Sequence, residues 1–379
     1  MQKFEIPYNN VYEPRVRDGP LTLDRLSPEN LPTLQFSHVS VSLGRNDACR
    51  CGSGKRYKNC FLNTSNEPGM KEKSQNPFEK LLGLKDLPPF QSPEELQRHV
   101  ERAIYARNSQ PLEDLAGLSA AQMYDLLYHP YDSPEIVRFP EIPDADVDAP
   151  IITLFLLLAE QIGEQGIKPT AKGNLPRKLC QETALAYWGE ELYLEDRKYG
   201  AINQEEQFFE LHLTKLIAEL AGLIRKYKGK LILSRKCRDW LGRNNKGKIY
   251  HELLRAYTEK SNWAYVDGYP ELYIIQRSFV FTLYLLKKYS NEKRGSTFYE
   301  DCFIKAYPDA LKELPNNPML GPNHRDHTLR SAYSNRALFR FAHFFGLVTV
   351  ERVSTGYMTS ELLIQGLPLL DRAVQFPPG

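Results

Sequence analysis

The chain has no long hydrophobic run, no large net charge and no recognisable catalytic signature, and each absence narrows its function. Its most apolar stretches are residues 151–159 and 274–286, the second interrupted by Gln276 and Arg277. Both fall short of the ~20 apolar residues that a membrane-spanning helix needs, so they read as buried core helices and predict no membrane contact. Residues 1–10 hold no apolar core of the kind a secretory leader carries, which predicts a protein made without one. Lys and Arg number 49 against 47 Asp and Glu, a formal net charge of +2. Such a balance gives no global attraction for polyanions, so a nucleic-acid footprint must come from local clustering. There is no Gly-x-Ser-x-Gly elbow, no dinucleotide fingerprint and no defensible pair of catalytic carboxylates. Cysteine is scarce too, at six residues. Cys180, Cys237 and Cys302 are scattered and form no disulfide framework, which points to a reducing compartment and a cytoplasmic location.

What is present begins with the other three cysteines. Residues 44–61 read Gly-Arg-Asn-Asp-Ala-Cys-Arg-Cys-Gly-Ser-Gly-Lys-Arg-Tyr-Lys-Asn-Cys-Phe. Cys49 and Cys51 are one residue apart, a Gly-Ser-Gly-Lys turn follows, and Cys60 closes the segment. A stretch of about twenty residues buries too little apolar surface to fold alone, so this pattern predicts a knuckle built around one zinc ion. The same residues do not make a phosphate loop. The first Gly and the post-Lys hydroxyl of that motif are replaced by Cys49 and Arg56.

The segment resembles the SEC-C motif, the zinc module at the C-terminus of the SecA translocation ATPase and in many bacterial proteins of unknown role. Cys49, Cys51 and Cys60 match three of that family's ligand positions, and Gly52, Gly54, Lys55 and Tyr57 match its turn. The fourth position, Cys or His in the family, is Phe61 here, whereas structural zinc is almost always four-coordinate. Water, a residue from elsewhere or nothing fills that place; His38 is the nearest upstream candidate. The resemblance implies zinc as cofactor. It also implies a chaperone or the ribosome as partner, because SEC-C knuckles in the translocation ATPase contact these.

At 379 residues, with 42% apolar and 11% aromatic content, two or three domains with real cores are expected. Five prolines within residues 1–43 predict an extended arm. The knuckle follows at 44–62, then a Pro-, Asn- and Lys-rich linker at 63–90. A helical segment is expected over 91–150. Ser92 and Ser119 are its N-caps, with Pro93 and Glu95 completing the first signal and Gln122 the second. Residues 151–250 carry two apolar-helix-to-hairpin junctions, one ending near Gly166–Gly173 and one with Lys228-Gly229 as its turn. A third junction, from Leu338 over Gly356, closes a helical domain at 251–379. An apolar helix followed by a two-stranded hairpin is how a winged helix ends. The expected fold is therefore mainly α with small β-hairpins: an N-terminal zinc knuckle plus winged-helix-like helical modules. Residues 114–241 also resemble a family of uncharacterised bacterial proteins that often carry SEC-C motifs. The likeness rests on Gly117-Leu118-Ser119, residues 170–176 and residues 221–226. No activity comes with it.

The strongest local charge lies between residues 225 and 248. Arg225, Lys226, Lys228, Lys230, Arg235, Lys236, Arg238, Arg243, Lys246 and Lys248 face a single acid, Asp239. Phosphates would feel such a field through counterion release, and Tyr227 and Trp240 lie among the cations as stacking candidates. Arg225, Lys226, Lys228, Lys230, Arg235, Lys236 and Arg238 are the candidate contacts; a merely solvated face is the competing reading. A helix expected over 328–345 places Arg330, Arg336 and Arg340 apart from Leu338, Phe341 and Phe345, as a recognition helix would. His324, Asp326 and His327 carry the residue types of a metal or acid–base site. Three functions remain open: a non-enzymatic zinc-knuckle protein whose winged-helix-like body binds nucleic acid or a nucleic-acid-associated partner, an adaptor docking a chaperone or ribosome through the knuckle, and an enzyme or toxin with an unrecognised site.

Overall fold

The computed structural model describes residues 92–316, 319, 321–356 and 359–377. The expected arm, knuckle and linker lie outside the described residues. The described residues divide between two units, 92–103 in one and 104–377 in the other.

Both predicted caps form. Helix α1 (Pro93–Asn108) starts at Ser92, whose hydroxyl accepts from the Glu95 amide at 3.2 Å. Helix α2 (Ala120–Tyr128) starts at a capping box. Ser119 Oγ accepts from the Gln122 amide at 3.2 Å, and the Ser119 amide donates to Gln122 Oε1 at 2.9 Å. Two otherwise orphaned amides are thereby satisfied, an arrangement contributing about 1 kcal/mol.

Two sets of elements then follow the same order. The first opens with α3 (Pro150–Ile162), which has Pro150 in its first turn and buries Ile151, Leu154, Phe155 and Leu158 completely. After it, Ile167 exchanges both backbone hydrogen bonds with Leu231, at 3.0 and 2.8 Å. Helices α4 (Arg177–Trp188), α5 (Glu190–Arg197) and α6 (Phe209–Leu220) precede a hairpin of β1 (Ile224–Tyr227) and β2 (Lys230–Leu233). Lys228 and Gly229 have φ of 46° and 74°, the left-handed pair that a two-residue hairpin turn requires. Helices α7 (Arg235–Gly242), capped by Ser234, and α8 (Lys246–Glu259) lead on to α9 (Tyr273–Arg277).

The second set comprises α10 (Phe279–Tyr289), β3 (Arg294–Gly295), α11 (Ser296–Ala306), α12 (His324–Tyr333), β4 (Val348–Gly356) and β5 (Thr359–Gly366); α13 (Pro368–Ala373) ends the chain. Helix α12 passes into a π-helical segment, Ser334–His343. The sheet order is β3-β5-β4. In both sets, then, the single strand between the first two helices pairs with the second strand of the hairpin. The chain is mainly helical with small antiparallel sheets, as its pattern predicts.

Two details differ from expectation. The first of the three supposed junctions has no hairpin of its own. Its Ile167 is the third member of the β1–β2 sheet, so the first two junctions are halves of one set. Helix α8 is also continuous across residue 250, where a boundary was drawn.

The sets pack through shared apolar and aromatic groups. The Ile151 amide donates to the Phe344 carbonyl at 3.1 Å, and Tyr250 Oη donates to the Phe345 carbonyl at 2.9 Å. Gly346 lies so close that an added Cβ would fall 2.5 Å from the Asp148 carbonyl oxygen. Rings of Tyr257, Trp263, Phe341 and Phe345 lie 4.8–5.8 Å apart in sequence around this seam, close enough for favourable ring–ring contact.

Candidate nucleic-acid interface

The two strands of the β1–β2 hairpin differ in burial: β2 alternates, whereas β1 is exposed after Ile224. The register pairs Ile224 with Leu233, Arg225 with Ile232, Lys226 with Leu231 and Tyr227 with Lys230. Ile224, Leu231 and Leu233 are buried and anchor the hairpin on the helices. Arg225, Lys226, Tyr227, Lys228, Gly229 and Lys230 are all exposed. Apolar anchoring of β2 thus holds a rigid cationic β1 and turn in solvent.

The ten cations are not equivalent. Lys236 pairs with Glu252 at 2.8 Å, Arg243 with Asp239 at 2.9 Å and Lys248 with Glu141 at 3.9 Å. Lys230 Nζ donates to the Gln165 carbonyl at 3.0 Å, and Arg238 to the Leu233 carbonyl at 2.9 Å. Among the described residues, Arg225, Lys226, Lys228 and Arg235 have no carboxylate partner. The Arg225 guanidinium lies 5.7 Å, and the Lys228 ammonium 5.4 Å, from the Tyr227 ring centre; Lys236 lies 5.4 Å from that of Trp240. Lys230, Arg238 and Lys246 likewise have no carboxylate partner among the described residues, so the uncompensated charge runs from the hairpin over the Ser234-capped start of α7 to Lys246, and only Lys236, Arg243 and Lys248 are ion-paired.

Other sequence candidates separate. The three arginines expected on a recognition helix are taken up by the protein itself. Arg330 pairs with Asp301 at 2.6 Å and Asp326 at 2.7 Å. Arg336 is 1% exposed and bound to Asp267, and Arg340 covers the Phe209 ring at 4.3 Å. Sequence spacing cannot show these partners, some of which come from the 267–271 loop. Asp326 is engaged by Arg330, and among the described residues no group of three His, Cys, Asp or Glu is placed to hold a metal. Cys180 and Cys237 are buried, which pushes their thiols up to about 12 and about 11; Cys302 is half-buried and also raised. Such thiols stay protonated and poorly nucleophilic at neutral pH. Cys49, Cys51, Cys60, Phe61 and His38 lie outside the described residues.

Sequence reasoning missed a buried charge network beside the hairpin. Glu205 is fully buried and accepts from Lys215 Nζ at 3.0 Å on both oxygens, from His212 Nδ1 at 2.5 Å and from the Leu175 amide. Lys215 also donates to the Gly173 carbonyl at 3.1 Å. Through Leu175 and Gly173 this network holds the 170–175 loop on helix α6. Burial works against the Glu205 charge, but the bonds from His212, Leu175 and Lys215 outweigh it and hold the carboxyl below its ordinary range. Its stabilising contribution is present at neutral pH. It is lost as pH falls below the unfolded value of about 4.3 and through the lower folded one. Denaturant midpoints followed from about pH 7 to about pH 3 should therefore fall less steeply in Glu205→Gln than in the wild type. Equal slopes would contradict this role.

A groove of about 340 Å³ beside α6 is lined by Leu213, Leu216, Leu220 and Tyr265, with Glu219 and Lys260 at its polar side. Ser261 also lines it, its hydroxyl donating to the Tyr257 carbonyl at 2.6 Å. No helix among the described residues is long and apolar enough to cross a membrane.

No family model matches the chain, and no solved structure matches it. Two curated proteins are similar over short stretches. A protein translocase subunit SecA of Wolinella succinogenes is 43% identical over 51 residues, 13% of this chain and 6% of that protein. A UPF0225 protein of Vibrio vulnificus is 49% identical over 39 residues, 10% of this chain and 23% of that protein. The chain thus spans less than a quarter of each relative's length, and its similarity to them is local.

Proposed function

We propose that the chain is a non-enzymatic zinc-knuckle protein whose helical body consists of winged-helix-like modules and binds nucleic acid. The single observation carrying this is the exposed β1–β2 hairpin, on which Arg225, Lys226 and Lys228 have no carboxylate partner among the described residues. Unpaired cations on a rigid projection gain counterion-release free energy from a polyphosphate without first breaking internal ion pairs. The modular reading draws support from the shared order of the two sets, in which the lone strand joins the second hairpin strand each time. Arg235 extends the field onto α7; Lys230, Lys236 and Arg238 back it, although each already has an internal partner. Retention on heparin at low salt, with co-purified nucleic acid raising absorbance at 260 nm over 280 nm, is the expected first result. Elution in the void at about 50 mM salt would oppose the reading.

The adaptor is the second reading, favoured by the local similarity to SecA. In it the knuckle docks a protein partner of the chaperone or ribosome kind. Both readings place zinc on Cys49, Cys51 and Cys60. Protein purified without chelator should then hold about one equivalent of zinc by elemental analysis, and Phe61→Cys or Phe61→His should tighten it by completing the tetrahedron. Less than about a tenth of an equivalent would remove the metal from both readings.

A further inference from the structure

We infer that the hairpin binds double-stranded nucleic acid through its phosphates, without reading sequence, and that Lys168 and Lys172 belong to the interface. This rests on the nucleic-acid reading above and names its substrate class.

The surface is wider than the charged sequence run. Ile167 forms an isolated antiparallel bridge with Leu231, so the chain leaves it through Lys168 in the direction of Lys230. Lys230 itself faces Tyr227 across the hairpin. Lys168 is exposed, so a cation from a segment some sixty positions upstream joins the edge of the sheet. Gly166 permits this approach: its φ is +69°, and a Cβ there would lie 2.6 Å from the Leu231 carbonyl oxygen. On the other side, Lys172 is exposed next to Gly173, against which Lys226 rests. Glu205 is neutralised by Lys215, while the exposed Glu206, held by Asn174 Nδ2 at 2.7 Å, keeps its charge. Lys168 and Lys172 thus add two exposed cations from the 167–174 segment to those of the hairpin.

The helix that leads into the hairpin lacks the means to read bases, and the aromatic rings beside it already face cations. Tyr227 already carries two cations near its ring, and Trp240 carries Lys236. Helix α6, which leads into the hairpin, is committed elsewhere. Leu211, Leu213, Thr214, Lys215, Ile217 and Ala218 are buried, His212 binds Glu205, and Phe209 lies under Arg340. Its partly or fully exposed positions include Glu210, Leu216, Glu219 and Leu220, acidic or apolar residues that repel or ignore a phosphate chain. Base recognition in a major groove uses Arg, Lys, Asn or Gln on such a helix, and in single strands uses free aromatic faces. What remains is phosphate contact. A duplex offers one charge per about 1.7 Å of axis and releases more counterions per contact than a single strand.

The test is an anisotropy titration of the full chain with fluorescent duplexes of unrelated sequence, in DNA and RNA form, and with the matching single strands. Expected is affinity equal within about threefold across sequences and tighter for duplex than for single strand; which sugar is preferred identifies the source of the backbone. Lys168→Glu with Lys172→Glu should weaken binding at low salt and reduce the slope of log K against log salt by about two, one per contact. Lys168→Gln with Lys172→Gln, which adds no repulsion, should reduce the slope equally. Tighter single-strand binding, a marked sequence preference, or an unchanged slope in both double variants would overturn the inference while leaving nucleic-acid binding intact. Failure of every nucleic acid to bind would instead remove the reading beneath it.

Discussion

Exchanging Arg225, Lys226, Lys228 and Arg235 together for Glu should weaken nucleic-acid binding by several powers of ten at low salt. These four residues are exposed and have no carboxylate partner among the described residues. Each phosphate contact contributes about 0.9 to the salt slope on B-form DNA, so losing four should lower that slope by about 3.6. The reversed charges then add repulsion. Folding should be nearly untouched, because exposed substitutions cost about 0.5 kcal/mol or less each. Lys228 sits at a φ of 46°, but Lys and Glu are equally ill suited to it, so the exchange introduces little new strain. A titration beside a thermal melt checks both halves. An unfolded variant would say nothing about binding, so the corresponding Gln variant serves as the second arm, with the slope again reduced. Unaltered affinity in a folded variant would make the cluster an ordinary solvated face.

The largest stability effect is expected at Arg336. Its Nε donates to Asp267 Oδ2 at 2.6 Å and an Nη to Oδ1 at 2.8 Å, with both side chains 1% exposed. Its remaining donors reach the carbonyls of Glu271, Pro270 and Tyr269 at 2.7, 2.9 and 3.3 Å. The guanidinium thus closes the 267–271 loop over the π-helical segment and satisfies every buried acceptor there that needs it. Arg336→Ala strips Asp267 of its close partner and leaves a buried carboxylate, which typically costs about 3–5 kcal/mol. That is a large part of the about 5–15 kcal/mol that holds most domains folded. Removing both charges with apolar residues of similar size should cost less than the single change, because the buried carboxylate goes with its partner; Arg340, 3.9 Å from Asp267 Oδ2, then loses that ion pair. Urea denaturation of Arg336→Ala and of Arg336→Met with Asp267→Leu tests this. A single variant as stable as the wild type would contradict the pairing.

These two sites differ in how far they could be read from sequence. The hairpin was legible because its signals are local. Lys228-Gly229 is a turn pair, β-prone residues flank it, and its charges are contiguous. The caps at Ser92 and Ser119 were legible for the same reason, each needing only three residues of context. Arg336 was misread because its role depends on Asp267, 69 positions away, and no spacing rule connects them. The π-helical segment turned the expected helix so that Arg336 points inward. Ile167 gave no strand signal at all, since one residue pairing with Leu231 has no periodicity to detect. Glu205 carries no local signal of its role; only the fold brings Lys215 and His212 to it.

The central claim is that an uncompensated cationic hairpin binds nucleic acid. The most direct measurement is a titration of the full wild-type chain with a short mixed-sequence duplex at two or more salt concentrations, starting near about 50 mM. The account predicts saturable binding whose log K falls linearly with log salt, with a slope set by at least the four contacts of Arg225, Lys226, Lys228 and Arg235. Absence of binding at the lowest salt, or binding insensitive to salt, would contradict it.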